Sequence, residues 1–429
     1  MKKESITLRI ILIAAIILIL LIPLFMIQSL IEERQAYRDE AIKEISKGWA
    51  GNQIVSGPVL SVLSSKVEKS NDGKTYTTNL QTNLLPEKLN YDVELVPEKR
   101  YLGIYEIVLY RAKIRLSGVF KTEDLNKAIT GRKLEETFVS FNLSDLRGMQ
   151  KDSQLKWNDS NYNLIAGLKS NNVLNNGFHS IIPIDEDNNL YSFEMELLVN
   201  GLDNLEFLPI GKTTEVNVKS SWNNPSFAGA YLPTSRKVNE SGFTAKWTVN
   251  YFNRAFPQLW NENAYKIFPS AFGVKLLVPV DEYQKTMRTS KYGLMIIVLT
   301  FLSFFMIELF GKKVIHPIQY LLIGLALIIF YSLLLAISEY LSFDLSYLIS
   351  AFLVILLISF YVISVYKSTR IGSVIFAALT VFYGLMYTIL QLQDYSLLVG
   401  NIALFVLLAS VMFFTRKINW FDVLNPKIN

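Results

Sequence analysis

Long apolar runs alternate with short polar connections over the last third of the chain. One run covers residues 294–310 and another covers 317–337, with the polar turn 311–316 between them. A helix needs roughly 17–25 residues to cross a hydrocarbon core of about 30 Å. Applied to the whole chain, this criterion predicts six membrane spans, at residues 10–27, 292–310, 317–338, 345–366, 371–392 and 396–414.

The charges of the connections predict which side of the membrane each one faces. Basic residues follow the second, fourth and sixth predicted spans, at Lys312, Lys313, Lys367, Arg370, Arg416 and Lys417. The connections at 342–344 and 393–394 carry no basic residue. Because basic connections stay in the cytoplasm, this alternation predicts that both termini are cytoplasmic and that residues 31–291 lie across the membrane.

The first apolar run is preceded by Lys2, Lys3 and Arg9, a start that a cleaved signal peptide shares. The run is long for a signal core and no small-residue cleavage site follows it, so we predict an uncleaved anchor. Residues 30–47 then repeat apolar positions at three- and four-residue steps, which predicts a helix. This helix either rises from the membrane into a folded domain, with its apolar face packed there, or forms a solvated stalk.

From residue 53 onward the apolar period changes from helical to alternating. Residues 191–197, for example, place polar side chains on one face only. The predicted strands are at 54–62, 75–84, 91–96, 101–120, 137–143, 190–199, 206–208, 214–221 and 243–251. Many short strands separated by Gly, Asn and Pro predict a large antiparallel β-rich domain, either a sandwich or an open barrel.

The resulting organisation has four parts. An amino-terminal anchor (1–30) precedes the β-rich domain with its helical stalk (31–291), and a five-helix transmembrane bundle (292–415) precedes a short tail (416–429).

Two aromatic loops in the β-rich domain are candidates for a binding surface. They contain Trp222, Phe227 and Tyr231, and then Trp260. Exposed aromatic residues mark binding sites for peptides or glycans. Buried loop packing is the interpretation that the pattern favours.

Composition narrows the possible chemistry. The chain has no cysteine and only two histidines, which excludes thiol catalysis, disulfides and His- or Cys-based metal centres. Residues 31–291 are nearly neutral, with 32 Lys and Arg against 31 Asp and Glu, so nucleic acid is not an expected partner. With no catalytic constellation in the sequence, we expect neither a cofactor nor enzymatic activity.

Four polar residues near the predicted spans are candidate functional residues. Glu308 and Glu339 are carboxylates at helix ends, and intramembrane carboxylates are commonly functional. The alternative for Glu308 is a helical pair with Lys312, and Glu339 can reach interfacial water. His316 precedes the helix-starting Pro317 and could titrate near neutral pH, while Gln319 adds a polar group beside it.

Several segments of the chain resemble the CreD family. They are 21–24 with 31–38, 53–60, 101–112, 225–233 and 316–326 with 338–339, in the same order as in the family. The resemblance implies an inner-membrane protein of a Gram-negative cell, with the large domain in the periplasm. It also implies a role in envelope integrity, induction by a two-component system, and effects on colicin tolerance and β-lactam response. It carries no catalytic residues.

The expected function is therefore support of the envelope under stress, through binding rather than catalysis. The expected partners are the lipid bilayer and an envelope protein, lipid or glycan. The alternative is a transporter or a membrane-embedded enzyme that acts on an envelope lipid or glycan.

Overall fold

A computed structural model describes residues 6–69, 75–103, 105–185, 188–277, 282–311 and 315–391, with scattered positions between 398 and 416. The chain divides into two compact units. The membrane unit combines Met1–Asp39 with Val280–Asn429, and the β unit is Glu40–Pro279. The β unit is shorter at both ends than the predicted domain 31–291, because residues 31–39 and 282–291 are helical and cluster with the membrane helices.

Most helices of the described chain belong to the membrane unit. Their bounds are α1 Ile6–Gly48, α2 Glu123–Ile129, α3 Glu282–Lys291, α4 Gly293–Gly311, α5 Pro317–Ser338, α6 Phe343–Tyr366 and α7 Thr369–Gln391. Helix α1 is continuous through Pro23, so the predicted anchor and stalk are one element. Among described residues, α1, α5, α6 and α7 are long and apolar enough to cross a membrane. Helices α3 and α4, bent by 43°, add a fifth span if they are counted together.

The predicted apolar helices and β-rich domain are thus confirmed, while the sixth predicted span, 396–414, lies largely outside the described residues. Leu20 of α1 and Phe301 of α4 both reach Gly324 of α5, where a Cβ would stand 2.1 Å from a Leu20 methyl carbon. A small residue therefore allows close approach of these helices, as is typical of membrane bundles.

The β unit contains seventeen strands in the described residues. One sheet is built from β1 Gln53–Lys69, β2 Thr75–Leu84, β5 Lys133–Leu143, β8 Ile165–Ala166, β9 Gly177–Ile181, β11 Asn204–Phe207, β13 Pro225–Gly229, β16 Leu259–Asn261 and β17 Phe272–Leu276. The other is built from β3 Lys88–Leu102, β4 Tyr105–Lys121, β6 Gln154–Trp157, β7 Ser160–Asn163, β10 Leu190–Leu202, β12 Thr213–Ser220, β14 Ser235–Asn239 and β15 Gly242–Asn250.

The first sheet runs β13-β17-β11-β1-β5-β9-β8, and in addition β2 pairs with β1 and β16 pairs with β2. The second sheet runs β14-β15-β12-β3-β4-β10-β6-β7. Most neighbours are antiparallel, as predicted. Two pairs are parallel, however: β1 with β11 and β3 with β12. Each pairs strands more than 100 residues apart, a connection that local alternation does not encode.

One hydrophobic core joins the inner faces of the two sheets. It contains Val55, Phe207 and Val274 from the first sheet and Tyr91 and Trp247 from the second. This shared core makes the unit a sandwich, one of the two predicted architectures.

Two local predictions differ from the structure. The strand predicted at 91–96 is longer in the structure, because β3 continues to Leu102 and Pro97 lies within it, opposite Tyr110 of β4. Pro97 lies beyond Leu95, the last β3 residue that pairs with β12, so this part of β3 has an edge on that side, where proline is tolerated. The loop predicted at 222–233 contains strand β13, which pairs with β17 through Gly229.

Candidate functional site

Glu308 lies inside the membrane unit in an ion pair. Its carboxylate accepts a hydrogen bond from the Arg9 guanidinium of α1 and a second one, at 3.3 Å, from the Tyr320 hydroxyl of α5. The side chains of Arg9 and Glu308 are 19% and 7% exposed. The pair therefore joins α1, α4 and α5. Lys312, the predicted alternative partner of Glu308, lies outside the described residues.

Glu339 forms the corresponding contact with another arginine of α1. Its carboxylate lies 3.6 Å from the Arg34 guanidinium, and the two side chains are 13% and 42% exposed. Arg9 and Arg34 are 25 residues apart, which is roughly 37 Å along a helix. This distance is about the length of a membrane span, so the two pairs lie at opposite ends of the membrane unit.

His316 and Gln319 form the cap of α5. The His316 ring nitrogen Nδ1 accepts a hydrogen bond from the Ile318 amide at 3.3 Å, and the Gln319 side chain accepts one from the His316 amide at 3.0 Å. This reciprocal arrangement satisfies two amides that the helix leaves unpaired. Both candidates therefore have a structural task at this position.

The four candidate aromatic residues belong largely to the interior. Trp222 and Trp260 are buried, and the Trp222 indole donates hydrogen bonds to the Asn224 and Leu277 carbonyls. Phe227 and Tyr231 are half-buried. Burial of the two tryptophans corresponds to the packing interpretation and removes them from a binding surface.

An open groove of about 630 Å³ lies on the outer face of the second sheet. Its charged lining consists of Lys113, Arg115, Lys219, Arg236, Lys237 and Lys246, with Asp92 and Glu94. We call it the basic groove. Strand register explains its composition, because Glu94 pairs laterally with Lys113 of β4 and Lys219 of β12, and these side chains share one face.

The basic groove keeps a positive excess after its ion pairs are counted. Glu196 lies 3.3 Å from Lys113 and 3.6 Å from Arg115, and Glu215 lies 2.7 Å from Lys246. In the described part of the chain, Lys219 and Lys237 form no ion pair. Exposed ion pairs contribute little stability, so these cations remain available to an anionic ligand.

Sequence reasoning missed Arg9, Arg34 and Tyr320 as partners, and it missed the basic groove. The arginines carried a signal, since each lies near one end of the predicted first span. The sequence holds almost no signal for the basic groove, because its basic residues come from four strands that are separated along the chain. Among the residues that the structure describes, no cluster of His, Asp and Glu could hold a metal ion.

The comparisons with known proteins agree with this architecture. A family model described as "Inner membrane protein CreD" matches residues 5–421. The inner membrane protein CreD of Escherichia coli (strain K12) is 31% identical over 424 residues, which cover 96% of this chain and 93% of that protein. With the match extending from the amino-terminal helix to the tail, the chain belongs to the CreD family of inner membrane proteins.

Proposed function

We propose that this protein supports envelope integrity under stress by binding an anionic envelope component without catalysis. In this proposal six helices cross the inner membrane, both termini are cytoplasmic, and the β unit lies in the periplasm between the first two spans. The basic groove receives the ligand. The alternation of basic and non-basic connections supports the orientation.

The observation that carries the binding proposal is the positive excess of the basic groove. Six cations line it against two carboxylates, and neighbouring Glu196 and Glu215 do not restore neutrality. An open concave surface with one sign of charge attracts a ligand of the opposite sign and raises its association rate. Anionic glycans and polymers have the extended shape that an open groove on a sheet accommodates.

The test uses the full chain in nanodiscs whose lipids carry no net charge. Fluorescent dextran sulfate is the probe, and uncharged dextran is the reference. Replacing Lys219, Arg236 and Lys237 with Gln removes three groove cations. We expect dextran sulfate to bind roughly tenfold more weakly, because the electrostatic attraction is lost. The matched control replaces the exposed Lys127, Lys151 and Lys266, which lie outside the groove. Equal loss of binding in both triple variants would contradict the proposal.

A second candidate function rests on the Arg9–Glu308–Tyr320 cluster. A buried charged pair inside a membrane bundle is typical of ion and proton pathways. In a transporter or membrane enzyme, Glu308→Gln abolishes complementation of an envelope-stress phenotype while the protein remains folded. In a binding protein, the same variant complements to the extent that it accumulates, and so does Glu339→Gln.

A further inference from the structure

Arg254 is a buried cation in the β unit. It follows β15 and the short helical turn Tyr251–Asn253, and only 8% of the residue is exposed. Its guanidinium lies 5.3 Å from the ring centre of Tyr251 and 4.7 Å from that of Phe256. Within the described residues it forms no ion pair. Arg254 does not line the basic groove, so the two features are separate.

Among the described residues, one of the three guanidinium nitrogens has hydrogen-bond partners and the other two have none. Nη1 donates to the carbonyls of Phe256 and Pro257 at 3.2 and 3.4 Å. Nε and Nη2 are buried and find no acceptor among the described residues. These two groups form the side-on edge of the guanidinium, the edge that donates two parallel hydrogen bonds to a carboxylate or phosphate.

The charge on Arg254 persists in this environment. Burial lowers its pKa to about 10, and the nearby phenol groups of Tyr251 and Tyr231 act in the opposite direction. A group with that pKa is protonated at neutral pH. A buried charge without a counter-charge destabilises a fold, and a bound anion offsets this destabilisation. The native fold therefore keeps a cation at a position where an anion would stabilise it.

An exposed aromatic ring lies two residues before Arg254. Phe252 is 96% exposed, and its ring contacts Tyr251 edge-on at a centroid distance of 5.5 Å. Aromatic residues, including Phe, and arginine are enriched at the cores of protein–protein interfaces. A ligand for this position thus carries an anionic group and, next to it, an apolar group.

The loop formed by residues 251–254 lies at one end of the second sheet. Asn250 pairs with Thr213, and Thr213 pairs with Lys88 at the start of β3. The connection from α1 to the sheets passes Trp49, whose ring stacks on Arg100 near the other end of β3. Twelve strand residues separate Lys88 from Arg100, roughly 40 Å. The loop therefore lies at the end of the sheet away from this connection.

We propose that Arg254 binds the carboxylate of a partner peptide and that Phe252 packs against the apolar side chain next to that carboxylate. A single cation with one free edge matches a singly charged carboxylate. Phosphate carries up to two charges and usually collects several donors.

Binding requires one covering ring to move. Phe256 is 6% exposed and packs on Trp260 at 6.5 Å, so it is held by the core. Tyr251 is 36% exposed and is the ring that turns aside.

The experiment measures fluorescence anisotropy of a labelled Gly-Gly-Phe tripeptide with the full chain in phosphatidylcholine nanodiscs. The probe is compared as free acid and as carboxyl-terminal amide, which needs no change to the protein. We expect the acid to bind roughly tenfold more tightly than the amide, because only the acid supplies the bidentate acceptor. Arg254→Gln should remove this preference. Arg254→Lys should weaken acid binding severalfold, since it keeps the charge without the fork.

Three further arms separate this proposal from others. Phe252→Ala should weaken the acid and the amide equally, and Arg236→Gln, a groove variant, should keep the full acid preference. Phenylacetate should displace the probe more effectively than phenyl phosphate. Equal affinity of acid and amide for the unaltered chain would overturn the proposal, as would an undiminished preference in Arg254→Gln. Stronger displacement by phenyl phosphate would overturn the carboxylate assignment. Loss of dextran sulfate binding bears only on the groove.

Discussion

Glu308 and Arg9 come from positions 299 residues apart, and their pairing is specific to the folded bundle. Removal of one partner leaves the other as a largely buried, uncompensated charge. We expect Glu308→Gln to lower the free energy of unfolding by about 3 kcal/mol. Arg9→Gln should cost a similar amount, and the double variant should cost less than the sum of the two.

Thermal unfolding in detergent across this double-mutant cycle measures the coupling energy, which we expect to be at least ~1 kcal/mol. The Arg34–Glu339 pair is the matched control. Its atoms are 3.6 Å apart and Arg34 is 42% exposed, so its coupling should stay below about 1 kcal/mol. Equal coupling energies in both cycles would contradict the prediction that burial strengthens the Arg9–Glu308 pair relative to the Arg34–Glu339 pair.

Asp145 is the titratable group that stabilises the start of the β unit. Its carboxylate bonds to Arg147 at 2.6 Å and accepts the Gly51 amide at 3.0 Å, and Arg147 donates to the Lys47 carbonyl. The Arg147 hydrogen bond, followed by backbone amides, lowers the pKa of Asp145 from 3.8 to about 2. A lowered carboxyl pKa stabilises the fold above about pH 4, and this stability is lost as the pH falls towards 2.

We therefore expect Asp145→Asn to lower the free energy of unfolding by about 1 kcal/mol at pH 7, a value reduced for solvent exposure. The difference from the unaltered chain should shrink as the pH approaches 2. Denaturant titrations followed by tryptophan fluorescence at the two pH values measure it. Asp159→Asn, which changes an exposed carboxyl, should leave the free energy of unfolding unchanged at both pH values. A deficit that does not depend on pH would rule out this linkage.

At the scale of elements, variants of the α5 cap distinguish a structural role of His316 from a functional one. The side chains of His316 and Gln319 each bond to a backbone amide at the helix start. His316→Ala should cost about 1 kcal/mol of stability, whereas His316→Asn retains a capping acceptor and should cost little. If capping is the whole role, His316→Asn complements an envelope-stress phenotype fully. Failure of the stable Asn variant would instead indicate a contact made by the imidazole.

The packing of α1 on α5 depends on Gly324. A side chain there meets a Leu20 methyl carbon and the Phe301 ring, both buried. Gly324→Val should therefore destabilise the bundle by roughly 2 kcal/mol through overpacking. Among the described residues, no atom lies within 4 Å of the position that a Cβ on Gly384 of α7 would take, so Gly384→Val is the matched control. Melting temperatures of the two variants in detergent decide the matter, and equal values would refute the packing role.

At the scale of the whole molecule, orientation can be measured directly, because the chain lacks cysteine. Ser342→Cys should react with a membrane-impermeant thiol reagent once the outer membrane is permeabilised. Ser368→Cys should react only after the inner membrane is opened, since Lys367 and Arg370 hold that connection inside. The unaltered chain provides the unlabelled control. Labelling at position 368 in cells with an intact inner membrane would contradict the predicted topology.

The sequence by itself determined the properties that are local in the chain. Hydropathy over about 20 residues located α5 at Pro317–Ser338, the bounds it has in the structure. Alternation located β2 at Thr75–Leu84 and indicated a two-sheet architecture as one of two options. These succeed because burial in lipid or beneath a sheet imposes a periodicity on neighbouring residues.

Only the tertiary structure decided which distant residues meet. The partner of Glu308 is Arg9, and no periodicity relates the two. The basic groove collects side chains from four strands by register. Among the described residues Arg254 has no counter-charge, and only the folded structure shows this. Pairing between distant segments depends on chain topology and shape complementarity, which are properties of the whole fold. The local pattern therefore specified the elements, while long-range contacts created the sites.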